Sequence, residues 1–508
     1  MTLLRSLGFA TVVLIGALPS SFAAELSTRL SARNSLTAAA LQAHVAVLAD
    51  DTFEGREAGK RGGRAAAGYL VEKLKSFGLQ GAGDSGGFLQ EFHPERRNVL
   101  AQLPGSDPEL RKEVIIICAH YDHVGYGNSR NSFGPFGYIH NGADDNASGV
   151  AGVLEAARVL SELKAPLKRT IMFAFWDAEE SGLFGSKHWL ARPTATLADV
   201  RFVVNLDMIG RLRNDQVEVY GSRTAAGARA LLTGANVEER LTFDYKWEMR
   251  EDSDHAPFFH KRIPVVMLHT GKHDDYHRPS DDVEKLNYDG ILKVSRVVLE
   301  TLIAVADADE LPRFRLESVN EAVSERRREA FELPYPTPPG RLGVSWHHVD
   351  DDGIHISHVQ VGTPAFAAGL RHGERIAEWD GHELNSEEQF QRLVMQQAEP
   401  VNLTVVGRDG TSREVAVELQ GSPVRIGVSW AEDDAEPGSV LVKRVVDNSP
   451  AQRAGLLTRD RIVQINGKSF RSVPEFEARL DEAQGKLTFT VDRDGVLETL
   501  ELQLDTGA

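Results

Sequence analysis

Short aliphatic and β-branched runs alternate with stretches of helical spacing from about Leu36 to Val305. Val114-Ile-Ile-Ile-Cys118, Thr170-Ile-Met-Phe-Ala-Phe-Trp176, Phe202-Val-Val-Asn-Leu206 and Pro264-Val-Val-Met-Leu268 read as buried strands. A strand covered on both faces needs such continuous runs, whereas a half-solvated one alternates with polar residues. Val150, Val153, Leu154, Ala157 and Leu160 recur at helical spacing and predict a helix over 147–163; a second long helix is predicted over 282–305. Strands separated by helices make an α/β sandwich around a mixed, mainly parallel sheet. Such sheets place ligands outside the carboxyl ends of their strands.

The pattern then changes. A charged stretch from Asp307 leads into Leu333-Pro-Tyr-Pro-Thr-Pro-Pro-Gly340, so 307–339 reads as a charged and Pro-rich, semi-rigid linker. Beyond it the chain repeats itself. Arg341-Leu-Gly-Val-Ser-Trp346 returns as Arg425-Ile-Gly-Val-Ser-Trp430. Thr363-Pro-Ala-Phe-Ala-Ala-Gly-Leu370 returns as Ser449-Pro-Ala-Gln-Arg-Ala-Gly-Leu456, and Arg375-Ile-Ala-Glu-Trp-Asp-Gly381 as Arg461-Ile-Val-Gln-Ile-Asn-Gly467. Three matched blocks in one order mean two copies of a module.

At the other end, Arg5 is the only charged side chain before Glu25, and an apolar run from Leu7 to Leu18 is followed by Phe22-Ala23-Ala24. This layout predicts a secretory signal peptide over 1–24. The run is too short to cross a bilayer, which takes about 20 residues. An exported protein is expected, periplasmic or extracellular, with no stable membrane anchor. The net charge of −17 weighs against a general binder of nucleic acid or anionic lipid. A single cysteine, Cys118, excludes internal disulfides and thiolate-rich metal modules.

The chemistry-bearing residues stand where the predicted strands end. His120 and Asp122 follow the first run in Ala119-His-Tyr-Asp-His123. Asp144 and Asp145 lie in Asn141-Gly-Ala-Asp-Asp-Asn-Ala-Ser-Gly149, which opens a helix. Glu179 and Glu180 follow the second run, Asp207 the third, and His277 the fourth. Singly, each has an ordinary explanation: a helix cap, a turn, a solvated face. Together they gather on one sheet edge. Histidines and carboxylates without thiolate suit divalent zinc. Several carboxylates in one place repel unless cations neutralise them, and paired metals recur in hydrolases. Neighbours Glu179 and Glu180 both reach such a centre only if the chain turns there; one then ligates while the other handles protons.

These blocks, with Glu179-Glu-Ser-Gly-Leu-Phe-Gly-Ser186, Asn205-Leu-Asp-Met208, Ser253-Asp-His-Ala-Pro-Phe258 and Tyr276-His-Arg-Pro-Ser-Asp281, resemble the co-catalytic di-zinc peptidase family typified by bacterial leucyl aminopeptidases, which also includes glutamate carboxypeptidase and glutaminyl cyclase relatives. The resemblance implies a zinc-exopeptidase three-layer sandwich over 25–306. It implies two Zn²⁺ ions, one on His120 and Asp207, the other on Glu180 and His277, with Asp144 bridging. It further implies Glu179 as general base and Asp122 orienting His120, with Asp281 doing the same for His277. Tyr276 and Asp254 are candidate substrate contacts. The repeated modules resemble PDZ domains over 340–420 and 423–506, small and β-rich. Leu342, Gly343 and Val344 in the first, and Ile426, Gly427 and Val428 in the second, match the loop that holds a peptide carboxylate, so protein or peptide C-termini are expected partners. Arg341 and Arg425 stand beside these loops. The reading that follows is an exported metallopeptidase, an aminopeptidase acting on peptide substrates through a metal-bridged water. A carboxypeptidase, dipeptidase or glutaminyl-cyclase-like activity on the same site is the alternative within enzymes, with Arg211 and Arg213 placed to meet a substrate carboxylate. A scaffold that has lost its chemistry is the alternative outside them; the presence of every expected ligand and of the base favours the enzyme.

Overall fold

The four apolar runs form the centre of a nine-stranded sheet. In chain order its strands are β1 (Gln80–Gly81), β2 (Leu89–Phe92), β3 (Arg96–Leu103), β4 (Val114–His120), β5 (Thr170–Trp176), β6 (Val200–Leu206), β7 (Gln216–Tyr220), β8 (Thr242–Lys246) and β9 (Val265–His269). They lie in the order β1-β3-β5-β4-β6-β9-β7-β8, with β2 beside β3. The central four, β5-β4-β6-β9, are mutually parallel. β3 joins β5 and β7 joins β9 antiparallel. This computed structural model describes residues 31–504 apart from positions 94, 164–165, 325–327, 329–330, 336–339, 349–352, 422–425 and 484. The leader expected at 1–24 lies outside the described residues.

Alternation along β4 builds two layers. Successive strand side chains point to opposite faces. Ile115 and Ile117 pack in one core with helices α1 (Ala38–Leu48), α2 (Arg61–Ser76), α3 (Gly149–Ser161) and, further along the chain, the long helix Tyr288–Asp307. Ile116 and Cys118 enter a second core with Trp189 and Phe258. Trp189 comes from α4 (Phe184–Ala191) and Phe258 from the short helix His255–His260. Helices on both faces of a largely parallel sheet are the expected sandwich. The long helix starts later than the apolar spacing predicts: Asn287 caps it, its side chain accepting from the Gly290 amide at 2.9 Å, and Val283–Lys285 forms a 3₁₀ turn instead.

The chain divides between residues 324 and 325 into two units. Part of the stretch read as linker belongs to the first. Arg315 donates its amide to the Thr224 carbonyl at 2.8 Å, the Phe314 ring lies 5.7 Å from that of Phe259, and Glu321 pairs with Arg223 at 2.9 Å. Charge along the sequence pointed to solvent; these charges are instead consumed in pairs. The prolines at 336, 338 and 339 lie outside the described residues. In the second unit each repeat forms a six-stranded antiparallel sheet with a short helix, Pro364–Ala367 or Pro450–Arg453, and a longer one, Glu387–Gln396 in the first copy and Val473–Glu482 in the second. No helix among the described residues is long and apolar enough to cross a membrane.

Candidate active site

The carboxyl ends of β4, β5 and β6 and the loop after β9 bring five donors to one place. His120 ends β4, and Asp207 follows β6. Beyond β5, Ala178 takes a left-handed backbone (φ 58°), and the amides of Gly182 and Leu183 both fold back onto the Glu179 carbonyl at 2.8 Å. That reversal turns Glu179 and Glu180 into the same pocket. Met208 (φ 55°) and His277 (φ 51°) are also left-handed. Each such residue costs of order 1 kcal/mol and persists where the surroundings impose it, as they do at functional sites.

Two donor groups share one carboxylate. His123, Asp145, Glu180 and His277 form one group, and His120, Asp145 and Asp207 the other, with ligand atoms within 4.8 Å of one another in each. Asp145 Oδ1 faces His120 Nε2 at 3.3 Å, and that nitrogen lies 3.5 Å from Asp207 Oδ1. Asp145 Oδ2 faces His277 Nε2 at 3.1 Å, and Glu180 Oε2 lies 3.0 Å from the same nitrogen. The shared residue is therefore Asp145 and not Asp144, which corrects the expectation by one position. Neighbouring side chains in the turn Ala143–Ser148 point apart, and Asp144 faces away. Its Oδ1 accepts from the Gly210 amide (2.6 Å) and Ser148 Oγ (3.0 Å), and its Oδ2 meets His273 Nε2 at 3.1 Å.

Other assignments also shift. The Asp122 carboxylate stands 3.8 Å from His120 Nδ1, beyond hydrogen-bond reach; the ring nitrogen meets the Asp122 carbonyl at 3.2 Å instead. The carboxylate accepts the Glu179 amide at 3.0 Å, so it braces Glu179. Asp281 does not hold the His277 ring. It accepts the backbone amides of Asp144 (2.9 Å) and Asp145 (3.1 Å) and pairs with Arg211 at 3.1 Å, fixing the shared carboxylate from behind. Asp254 is fully buried, accepts from Ser186 Oγ at 2.5 Å, and lies outside the pocket lining, so it is no substrate contact. Arg211, placed by its sequence position near a substrate carboxylate, is spent on Asp275 and Asp281. Arg213 turns to the Lys272 carbonyl.

His123 carries no role in the sequence reading, although it is the second histidine of the block that contains His120. Its Nδ1 lies 2.8 Å from Glu180 Oε1. The pocket, about 410 Å³ including its mouth, is also lined by Met208, Tyr220, Arg250, Asp252, Met267, His269, Lys272 and Tyr276. Tyr220, Arg250 and Asp252 give no sequence signal, because β7 and the 247–252 segment lie apart from the motif blocks in the chain. The Tyr276 ring stacks on His277, centroids 4.0 Å apart.

Electrostatics fit a cation-binding pocket. Burial, opposed by the His120 charge and reinforced by Glu180 and Asp254, pushes the Glu179 carboxyl well above the usual carboxylate range. Burial would also raise Glu180 and Asp145 adds to that, yet His277 and His123 pull it down to about 2. His277, disfavoured by burial, is raised to about 10 by Glu180 and Asp145. His277 Nε2 is buried and makes no hydrogen bond of good geometry despite the two carboxylate oxygens near 3 Å. A nitrogen and several oxygens converging without a well-aligned proton are what a divalent ion requires. Cys118 takes no part: its thiol is buried against Asn205 Oδ1 at 3.3 Å, and burial pushes it well up.

The repeated modules keep their loop glycines for a packing reason. Gly343 (φ +84°) would place a Cβ 2.2 Å from Thr363 Cβ, and Gly427 (φ +81°) one 2.1 Å from Ser449 Cβ. Leu342 and Ile426 are buried; Val344 and Val428 begin the strands that follow. Leu342, Gly343, Val344, Trp346, Phe390 and Val394 of the first module line a groove that Arg444–Asn448 of the second also border. Arg341 borders it too, but its guanidinium is engaged by backbone carbonyls. Its guanidinium donates to the carbonyls of Val394, Met395, Gln397, Gln420 and Gly421, closing the end of the helix Glu387–Gln396. Arg425 lies outside the described residues.

Residues 98–302 match the peptidase family M28 model, and residues 340–419 and 441–493 match PDZ-domain models. Over 304 residues the chain is 30% identical to leucine aminopeptidase 1 of Grosmannia clavigera, covering 55% of this chain and 71% of that one. Over 237 residues it is 32% identical to leupeptin-inactivating enzyme 1 of Streptomyces exfoliatus, covering 45% of this chain and 49% of that one, so it spans about half the length of this relative. Among solved structures, the LapA aminopeptidase of Legionella pneumophila is similar at a TM-score of 0.47 and 21% identity, over 56% of this chain and 76% of that chain.

Proposed function

Because the chain belongs to peptidase family M28, we propose that it is an exported zinc aminopeptidase that removes N-terminal residues from peptides. The observation that carries this reading is the single carboxylate of Asp145 lying between His120 with Asp207 on one side and His277 with Glu180 on the other, with Glu179 in the same pocket. His120, Asp145 and Asp207 would hold one zinc ion, and Asp145, Glu180 and His277 the second, with His123 beside the latter. Bound zinc would polarise the scissile carbonyl and lower the pKa of a water molecule.

The chain's own residues do the rest. Glu179, held by Asp122 through its amide, takes the proton of the attacking water and returns it to the leaving amine. A carboxylate whose pKa burial has raised is suited to that exchange. The Tyr276 hydroxyl, kept protonated by burial and the surrounding carboxylates, lines the same pocket and donates to the oxyanion. The carboxylates of Asp207 and Glu179 favour a substrate's cationic α-amino group in the same pocket. Arg250 and Lys272, which also line it, are the observation behind the second reading, recognition of a substrate carboxylate. The two PDZ modules dock peptide or protein C-termini, and the segment 1–24 directs export.

A panel of leucinamide, N-acetyl-leucinamide and an acidic N-blocked dipeptide, assayed with zinc, tests the reading. Leucinamide is expected to turn over and its acetylated form to resist. Hydrolysis of the blocked dipeptide with leucinamide left intact would replace the aminopeptidase by the carboxypeptidase.

A further inference from the structure

The described residues of the first unit expose few aromatic rings, and four of them stand between positions 126 and 138. Tyr126 is 46% exposed, Phe133 64%, Phe136 52% and Tyr138 63%. Such a cluster is uncommon on a surface without a partner. The loop is not loose. Ser132 Oγ sits 2.6 Å from His140 Nε2 and donates to the His277 carbonyl at 3.0 Å. The Phe133 amide donates to that same carbonyl at 3.1 Å, and Arg278 reaches the carbonyls of Phe133 and Gly134 at 2.9 and 3.1 Å. The base is closed by the His140 amide on the Gly125 carbonyl and the Gly137 amide on that of Tyr126, both at 2.8 Å. The rings are thus held out on a braced frame.

That frame is continuous with the active-site pocket. The Phe133 ring lies 6.1 Å from Tyr276, which lines the pocket, and 6.4 Å from His277. Even with its open mouth included the pocket amounts to about 410 Å³, too little to enclose a peptide of several residues. A longer substrate leaving it past Tyr276 runs onto the exposed rings. We propose that the 126–138 loop is the seat for apolar side chains of the peptide substrate beyond the residue held at the metals, which makes apolar peptides, rather than single aminoacyl amides, the preferred substrate class. This rests on the aminopeptidase reading. Aromatic rings bury large area at low entropic cost, which is why they serve as such anchors.

The test uses the zinc-loaded full chain. Turnover of Leu-Phe-Phe, Leu-Gly-Gly and leucinamide is compared, and the binding of the two tripeptides to Glu179→Gln is measured by calorimetry. The expected preference for Leu-Phe-Phe over Leu-Gly-Gly is about tenfold or more, a difference of one good contact, in both kcat/KM and affinity. Phe136→Ser and Tyr138→Ser leave the loop's anchoring bonds in place and are expected to reduce that ratio severalfold, through KM rather than kcat. Equal values for the two tripeptides in the wild type, or a ratio unmoved by both substitutions, overturns the proposal. So does a flat ratio accompanied by ring-dependent binding to phosphatidylglycerol vesicles or by ring-dependent dimerisation, which would give the rings a different occupant. Failure of leucinamide itself to turn over sinks the aminopeptidase reading, whereas the tripeptide affinities still decide whether the rings hold apolar side chains.

Discussion

Exchanging Asp145 for Asn decides where the two donor groups meet. Asparagine fills the same volume but carries no charge and offers a single acceptor oxygen. Both groups feel the loss, because Oδ1 stands 3.3 Å from His120 Nε2 and Oδ2 3.1 Å from His277 Nε2. One group is left with Asp207 as its only carboxylate and the other with Glu180. Removing a residue that merely supports a metal ligand lowers affinity about 10–100-fold; removing a ligand common to both ions should exceed about 100-fold at each, or about 2.7 kcal/mol per ion. Asp144→Asn is the control. Its Oδ1 keeps the Gly210 and Ser148 hydrogen bonds, and the new amide faces His273, whose ring can accept in the other tautomer. That change should cost about 1 kcal/mol of stability and leave the metal content alone. Elemental analysis after dialysis against a zinc buffer that just saturates the wild type reads both effects. Two ions per chain in Asp145→Asn, with Asp144→Asn depleted, would refute the assignment of the shared carboxylate.

Glu179→Gln should keep both ions and lower kcat by about 10²–10⁴-fold, the range of a lost general base; undiminished hydrolysis of leucinamide would remove Glu179 from that role. Glu113 is nudged upward by burial but held below the usual carboxylate range overall by Arg169, 2.7 Å away, and by Arg201. Its folded pKa is depressed, so its contribution is present at neutral pH and is lost as pH falls below the ordinary glutamate value of 4.5. Glu113→Gln should therefore lower Tm by a few degrees at pH 7, with the gap to wild type closing toward pH 3; a constant gap on acidification contradicts the pairing. Arg341→Met strips five carbonyls of their donor and should destabilise the first module by about 2–3 kcal/mol. Hydrogen exchange should then accelerate over 387–397 while the second module's helix Val473–Glu482 stays protected; unchanged exchange there would show the guanidinium is dispensable.

The parts of the molecule that could be read from the chain are those where one physical demand dominates. The strands β4, β5, β6 and β9 are apolar on both faces because helices cover both, and all seven residues of Val114–His120 are buried as a result. The weaker strands β7 and β8 alternate and are partly exposed, a pattern shared with loops, so only pairing in three dimensions defines them. The same distinction governs the site. His120, Glu180, Asp207 and His277 stand next to strand ends, and the strand direction carries each to the same edge. Asp145 differs from Asp144 only by a local turn whose dihedrals no periodicity encodes: φ −104° and ψ 95° at Asp145 direct its side chain between the two histidines. Residue type cannot choose between two adjacent aspartates, because either supplies the same oxygens. Arg341 is the mirror case. A cation beside a carboxylate-binding loop suggests a ligand contact, yet five carbonyls at the end of one helix and in the segment beside it claim it first, since helix ends leave acceptors unsatisfied unless something reaches them. Where two neighbours have the same chemistry, or one group has two plausible partners, the choice falls to backbone geometry. The residues that a linear reading misplaced, Asp144, Asp122, Asp281, Asp254 and Arg341, are all side chains whose nearest polar partner is a backbone group or a side chain remote in the sequence.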